Sequence, residues 1–170
     1  CIRDSTKTVT VADTDQTPVV ATAGHTVTYQ VGAAGSTVDS SVNVSDRDNT
    51  TQSSGTVSIS GGFRTGDALN FTNDGSTMGN ISGSYDSATG MLTLTSSGAT
   101  ATDLQWQHAL AAVTFSTSST TLGNRTISFA TSDGTKTSVA ATDTVNVVSP
   151  LQLTGDSGSV AFVTGDNGPG

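Results

Sequence analysis

Residues 124–147, NRTISFATSDGTKTSVAATDTVNV, decide the fold class of this chain. Apolar and polar side chains alternate along 125–131 and again along 137–148, and such alternation is typical of a strand with one buried face. Asp133 and Gly134 lie between the two runs, and both residue types favour tight turns. The stretch therefore predicts two strands joined by a hairpin turn.

The same alternation recurs along most of the chain, whereas the helical period of about 3.6 residues is nearly absent. In YDSATGML, 85–92, Gly90 supplies the left-handed backbone position of a second hairpin. The pattern predicts an all-β fold. Its further strands are predicted at 6–11, 18–31 with a break around Ala23 and Gly24, 37–45, 55–60, 67–72, 79–85, 91–95 and 112–117.

One segment, TATDLQWQHALAAVTF at 100–115, departs from the strand pattern. Thr102 is followed three residues later by Gln105, which is the spacing of a capping box at a helix N-terminus. The sequence predicts one short helix at 103–111, packed on the end or side of the sheet, with Trp106 in the core. The apolar residues at helical spacing are Leu104, Ala109, Leu110 and Val113.

Composition limits what the protein can bind. The 170 residues carry a net charge of −8, all 14 acidic residues are Asp, and only six are Lys or Arg. So acidic a chain is a poor nucleic-acid binder, and no apolar run approaches the roughly 20 residues of a membrane span.

Cys1 is the single cysteine, so no intrachain disulfide can form. Bound metal is another way to stabilise a thin core.

Two similar segments indicate a tandem repeat. TKTVTV at 6–11 resembles TDTVNV at 142–147, and a short proline-containing linker follows each of them. The offset is about 136 residues. We therefore interpret the chain as four parts. These are the closing strand of a preceding repeat at 1–12, a linker at 13–17, a complete repeat at 18–148, and a linker with the start of a following repeat at 149–170.

Three stretches carry a resemblance to a known family. They are VNVSDRDNTTQSSGTVSISGGFRTGDALNFTNDG at 42–75, GNISGSYDSATGMLTLTSSGATATDLQWQHALAAVTFS at 79–116 and NRTISFATSDGTKTSVAATDTVNV at 124–147. The residues of these stretches and their order along the chain resemble the cadherin-like, immunoglobulin-type repeats of very large bacterial surface proteins, many of which are RTX-class adhesins. The resemblance implies an immunoglobulin/cadherin-like β-sandwich, Ca²⁺ at the junctions between repeats, and a role in extension and adhesion outside the cell.

A count of strand directions predicts where the carboxylates lie. If strands run alternately up and down from the first linker, the loops at 46–54 and 132–136 lie beside that linker, and the chain leaves at the opposite end. Carboxylates gathered at one end repel each other unless a cation joins them, and Ca²⁺ takes six to eight oxygen ligands. The alternative is that these residues only form turns. The predicted Ca²⁺ ligands are Asp13, Asp15, Asp46, Asp48, Asn49 and Asp133.

The segment GDSGSV at 155–160 is similar to the nucleophile segment of chymotrypsin-like serine proteases. Such an enzyme also needs an imidazole held by a buried carboxylate. The chain offers only His25 and His108, and neither lies in a matching context. We therefore expect that the protein is not an enzyme.

Two further functions compete with the adhesin repeat. In a self-assembling extracellular filament or sheath, strand 6–11 would add to the sheet edge of an identical subunit. A carbohydrate-binding module commonly presents aromatic side chains on one face, and aromatic residues make up only 5% of this chain. Cys1 is either an internal residue of a preceding repeat or a lipid-modified N-terminus.

Overall fold

The structure is a computed structural model that describes residues 14–150. The strand predicted at 6–11, the predicted ligand Asp13 and the segment 155–160 lie outside these residues. The eleven strands are β1 Val19–Ala21, β2 Thr26–Gln30, β3 Ser36–Thr37, β4 Asn43–Ser45, β5 Ser54–Gly61, β6 Asp67–Asn70, β7 Ile81–Asp86, β8 Met91–Ser96, β9 Thr114–Thr117, β10 Gly123–Ser132 and β11 Ala141–Val148. A 3₁₀ turn, Ser97–Ala99, and one helix, α1 Asp103–Ala111, lie between β8 and β9.

The strands form a sandwich. One layer is a six-stranded sheet in the order β2-β11-β10-β5-β8-β7, and opposite it lie a three-stranded sheet, β3-β9-β6, and the pair β1-β4. Every pairing is antiparallel except that between β2 and β11. The prediction of an all-β sandwich with one short helix is confirmed.

Alternating side chains build the core between the layers. Val57 of β5 and Phe129 of β10 are fully buried on the inner face of the large sheet, and Phe115 of β9 faces them from the small one. The rings of Tyr29 and Phe115 meet edge to face with centroids 5.3 Å apart. Burying a large apolar side chain contributes about 1.5–3 kcal/mol, so these strands gain most of their stability from this interface.

The helix α1 spans the predicted residues and begins with the predicted capping box. The Gln105 amide donates to Thr102 Oγ1 at 3.3 Å, and the Thr102 amide donates to Gln105 Oε1 at 2.9 Å. Trp106 is fully buried, and its Nε1 donates to the Gln52 carbonyl at 3.0 Å. Gly55 leaves room for the indole, because a Cβ there would lie 2.8 Å from Trp106 Cζ3. Leu104, by contrast, is 58% exposed, so its assignment to the apolar face was wrong.

The strand predicted at 37–45 is interrupted. β3 ends at Thr37, and after one more backbone hydrogen bond, from the Val38 amide to the Val113 carbonyl, strand pairing resumes only at Asn43. The buried Asp39 side chain bends the chain into a turn between them. Its Oδ1 accepts hydrogen bonds from the amide and the hydroxyl of Ser41, both at 2.7 Å. An Asp side chain that binds the backbone two residues later competes with strand pairing in this way.

The predicted break around Ala23 and Gly24 is confirmed, and it moves the chain between layers. β1 pairs with β4, but β2 pairs with β11 in the large sheet, and Gly24 adopts a φ of +64° between them. Because β2 and β11 are parallel, both reach the same end of the sandwich, where the Val31 amide donates to the Val148 carbonyl at 3.0 Å. The chain therefore comes in at one end, which we call the linker end, and leaves at the other.

None of the helical segments within 14–150 has the length and apolar character needed to cross a membrane.

Candidate metal centre

Residues 14–17, which the sequence predicts to be a linker, are held against the loop that follows β4. The Gln16 amide donates to Asp48 Oδ2 at 2.8 Å, and Asn49 Nδ2 donates to Asp15 Oδ1 at 3.4 Å. Both contacts join residues more than thirty positions apart in the chain. Of the predicted ligands, Asp15, Asp48 and Asn49 are therefore direct neighbours at the linker end.

The turn between β10 and β11 reaches the same place through a lysine. Lys136 Nζ donates to the Asp15 carbonyl and lies 3.8 Å from Asp15 Oδ2. Asp133 shapes this turn, because its Oδ1 accepts from the amides of Thr135 and Lys136 at 2.5 and 2.7 Å. The second carboxylate oxygen of Asp15 and that of Asp133 are both buried without a hydrogen-bond partner. The linker end thus contains one cationic side chain, Lys136, and two carboxylate oxygens that accept no hydrogen bond, Asp15 Oδ2 and Asp133 Oδ2.

Asp46 and Asp48 influence each other directly. The Asp48 amide donates to Asp46 Oδ1 at 3.4 Å. Burial opposes ionisation of Asp46, but hydrogen bonds from Asp48 and Gln52 outweigh it and hold the pKa of Asp46 below its ordinary value. At Asp48 the hydrogen bond from the Gln16 amide lowers the pKa, yet burial and the adjacent Asp46 carboxylate raise it overall. This repulsion is the kind that a shared cation relieves.

Asp103 belongs to the linker end, and the sequence analysis missed it. This first residue of α1 accepts a hydrogen bond from the Asp46 amide at 3.2 Å through Oδ2. Its Oδ1 accepts another from Nε2 of the buried Gln52 at 3.1 Å. An acidic residue in the first turn of a helix is a recognisable signal, because it favours the positive end of the helix dipole.

The predicted ligands are neighbours, but they do not form a compact carboxylate cage. Asp46 is linked to the other predicted ligands by its hydrogen bond from the Asp48 amide. Asp133 is linked to them through Lys136, whose amide donates to Asp133 and whose Nζ lies beside Asp15. Within residues 14–150, one set of three Asp or His side chains brings its ligand atoms within 4.8 Å of one another. That set does not lie at the linker end. A Ca²⁺ ion at the linker end would have to draw the loops inwards.

The compact set consists of His25, Asp39 and Asp143, at the crossover from β1 to β2. We call it the crossover cluster. His25 Nδ1 lies 3.4 Å from Asp143 Oδ1, and the His25 amide donates to the same oxygen at 2.8 Å. The Ala23 amide donates to Asp39 Oδ2 at 2.7 Å. Both carboxylates are almost completely buried, whereas His25 is exposed.

The two buried carboxylates of the crossover cluster differ in acidity. Burial raises the pKa of Asp143, and the nearby Asp39 carboxylate adds to the increase. Burial also opposes ionisation of Asp39, but hydrogen bonds from Ser41 and the Ala23 amide prevail and lower its pKa. Sequence analysis overlooked this pair, although a signal existed. Asp143 occupies an inward-facing position of β11, in alternation with Val145 and Val147.

Comparison with known proteins adds no further ligand set. No protein-family model, no curated protein and no solved structure matches the chain. The family resemblance of 42–75, 79–116 and 124–147 stays an expectation from the sequence. The molecule thus has two acidic clusters that could hold a metal ion, one at the linker end and one at the crossover.

Proposed function

We propose that the protein is a structural repeat of an extracellular bacterial adhesin, stiffened by Ca²⁺ at its linker end. The observation that carries the proposal is the parallel pairing of β2 with β11. It places the incoming and outgoing chain at opposite ends of the sandwich, which is the arrangement that an end-to-end array of repeats requires. A repeat of this kind extends the protein from the cell surface and presents adhesive parts elsewhere in the chain.

The linker end supports the calcium part of the proposal. Asp15, Asp48 and Asn49 already bring linker and loop together, and the carboxylates of Asp46 and Asp48 repel each other. A Ca²⁺ ion would replace these weak contacts by bonds to several oxygens. It would thereby fix the angle between the linker and the sandwich, and neighbouring repeats of the same chain are the expected partners.

The test is thermal unfolding of the chain in millimolar Ca²⁺ and in chelator. A ligand that binds only the folded state stabilises it by about 2.7 kcal/mol at one hundred times Kd, which corresponds to several degrees in Tm. The double variant Asp46→Asn with Asp48→Asn should lose most of that gain. Equal melting curves, together with no heat of Ca²⁺ binding in calorimetry, would contradict the proposal.

A matched control exists on the same chain. Asp74 and Asp86 are exposed residues that directly precede turns, and hydrogen bonds from the turn residues lower the pKa of each carboxyl group. The double variant Asp74→Asn with Asp86→Asn removes the same charge without touching the linker end. It should keep the full calcium effect, and an equal loss in both double variants would point to general charge screening.

A filament subunit is the second candidate, because the large sheet has an open edge. Within 14–150, β7 pairs only with β8, and Ser82, Gly83 and Ser84 along it are exposed. An unpaired edge of this kind accepts a strand from another molecule. Electron microscopy of the purified chain separates the two functions, since a filament subunit should form fibres and an adhesin repeat should stay monomeric. We expect no enzyme activity from either.

A further inference from the structure

The crossover cluster combines two kinds of metal ligand at one point of the fold. Its three side chains each present one ligand atom, and these atoms lie within 4.8 Å of one another. His25 Nδ1 and Asp143 Oδ1 are 3.4 Å apart. Two ligands of a tetrahedral zinc ion are separated by about the same distance, since each lies roughly 2.0–2.2 Å from the metal. The cluster therefore has nearly the dimensions of a metal site.

A second, independent observation points to a ligand. The Asp143 side chain is 0% exposed, and its Oδ2 has no hydrogen-bond partner. An unpaired carboxylate oxygen in the interior is unfavourable unless a proton or a cation satisfies it. The oxygen belongs to the carboxylate that also approaches Asp39 and His25.

A third buried aspartate shows how the fold treats such a charge elsewhere. Asp67 also has one oxygen without a hydrogen bond, but Arg125 Nε lies 2.8 Å from its other oxygen. No Lys or Arg of residues 14–150 forms an ion pair with Asp39 or Asp143. Of the three buried aspartates within 14–150, the two of the crossover cluster lack a Lys or Arg partner, and the His25 imidazole lies beside them instead.

We propose that His25, Asp39 and Asp143 bind a divalent transition-metal ion, for which Zn²⁺ is the probe. One imidazole nitrogen and two carboxylate oxygens supply three ligands, and water completes the shell. The nitrogen ligand favours Zn²⁺ over Ca²⁺ or Mg²⁺, which prefer oxygen alone. The ion's two charges balance the two carboxylates, and the exposed imidazole provides the route of access.

Backbone hydrogen bonds hold the ligands in place before any ion arrives. The Ala23 amide fixes Asp39, and the His25 amide fixes Asp143. Such outer contacts orient metal ligands in proteins. Thr22 Oγ1 also donates to the Thr142 carbonyl at 3.1 Å, so the crossover already touches β11. An ion at this point ties the first strands to the last one and does not involve the linker end.

The experiment is a Zn²⁺ titration of the full chain by calorimetry in millimolar Ca²⁺. Cys1→Ser removes the competing thiol, and the excess Ca²⁺ occupies sites made only of oxygen. We expect one ion per chain, a higher Tm with Zn²⁺, and visible absorption from Co²⁺ in the same site. His25→Ala should weaken binding by more than about tenfold, whereas His108→Ala, the other exposed histidine, should leave it unchanged.

Three results would overturn the proposal. The first is no heat with Zn²⁺ and no visible spectrum with Co²⁺. The second is equal affinity in the His25→Ala variant and its parent. The third concerns Asp143→Asn, which keeps the shape of the side chain but removes its charge. If this variant folds and still binds Zn²⁺ with the parent's affinity, the ion lies elsewhere, and a shared proton satisfies the crossover cluster.

Discussion

The linker end and the crossover cluster each contain a pair of neighbouring aspartates, and they differ chiefly in burial. Asp46 and Asp48 lie where water reaches them, while Asp39 and Asp143 are almost completely buried. In both pairs the pKa of one carboxyl is lowered and that of its neighbour is raised. The same local chemistry thus has different consequences, because water screens one pair and cannot screen the other.

This difference bears on when a cation is needed. Water reaches the linker-end pair, so the fold does not depend on an ion there, and the proposed Ca²⁺ would serve to fix residues 14–17 against the sandwich. The buried pair must be neutralised whenever the sandwich is folded. A shared proton or a metal ion can do so, and which of the two is present decides how stability responds to pH and to chelators.

The largest expected effect is that of Asp39→Ala. The substitution removes the acceptor of three hydrogen bonds, from the amides of Ala23 and Ser41 and from the Ser41 hydroxyl. The three contacts are half-buried and share one charged acceptor, so their loss should lower the free energy of unfolding by about 3 kcal/mol. Urea denaturation measures the loss. Asp48→Ala at the linker end is the control, and the comparison fails if both variants lose the same amount.

A pH series in chelator should reveal the buried pair. The pKa of Asp143 is raised in the folded protein, so between its unfolded value near 4 and its folded value the native state binds more protons than the unfolded state. Stability from this group is therefore complete at low pH and falls as the pH rises through that window. Asp143→Asn does not titrate, so its stability relative to the parent should increase with pH.

The urea midpoints of parent and Asp143→Asn, measured side by side from pH 3 to 7, test this sign. A difference that is constant with pH would mean that Asp143 titrates alike in both states. If the variant instead loses stability relative to the parent as the pH rises, the folded-state pKa of Asp143 is lowered, and the comparison between the two pairs fails.

The smallest effect on stability is expected from Lys136→Met at the linker end. This half-exposed ammonium lies 3.8 Å from Asp15 Oδ2, and exposed ion pairs contribute less than about 1 kcal/mol. Unfolding in chelator should therefore change little. Calcium affinity should instead rise, by roughly fivefold, because a repelling charge of about 1 kcal/mol has gone. Calorimetry measures it, and unchanged affinity would place any Ca²⁺ away from Lys136.

Local signals in the sequence predicted the elements that local interactions decide. The capping box of Thr102 and Gln105 located α1, and Gly90 located the hairpin between β7 and β8. The strand expected at 37–45 failed because Asp39 binds the backbone of Ser41, and a turn of that kind looks like an ordinary polar position in a strand. The prediction that Leu104 belongs to the apolar face was wrong, because the buried face of α1 is formed by Trp106, Ala109 and Leu110.

The two candidate sites differ in the same way. A count of strand directions sufficed for the linker end, since it needs only the end of the sandwich at which each loop lies. The crossover cluster joins a loop, a broken strand and the last strand, and their side chains meet only once β1 has changed layers. Asp143 was visible as a polar residue among inward-facing valines, but nothing in the pattern indicates Asp39 and His25 as its neighbours.

The parallel pairing of β2 and β11 has a mechanical consequence. If the chain is pulled by its two ends, β2 and β11 are drawn in opposite directions along their common axis. The hydrogen bonds between them, over the register from Thr26 with Thr144 to Gln30 with Val148, are then loaded in shear. They have to break together instead of one after another, as they do when a hairpin is peeled open. A sandwich with this pairing resists tension along its long axis better than it resists being unzipped from the side.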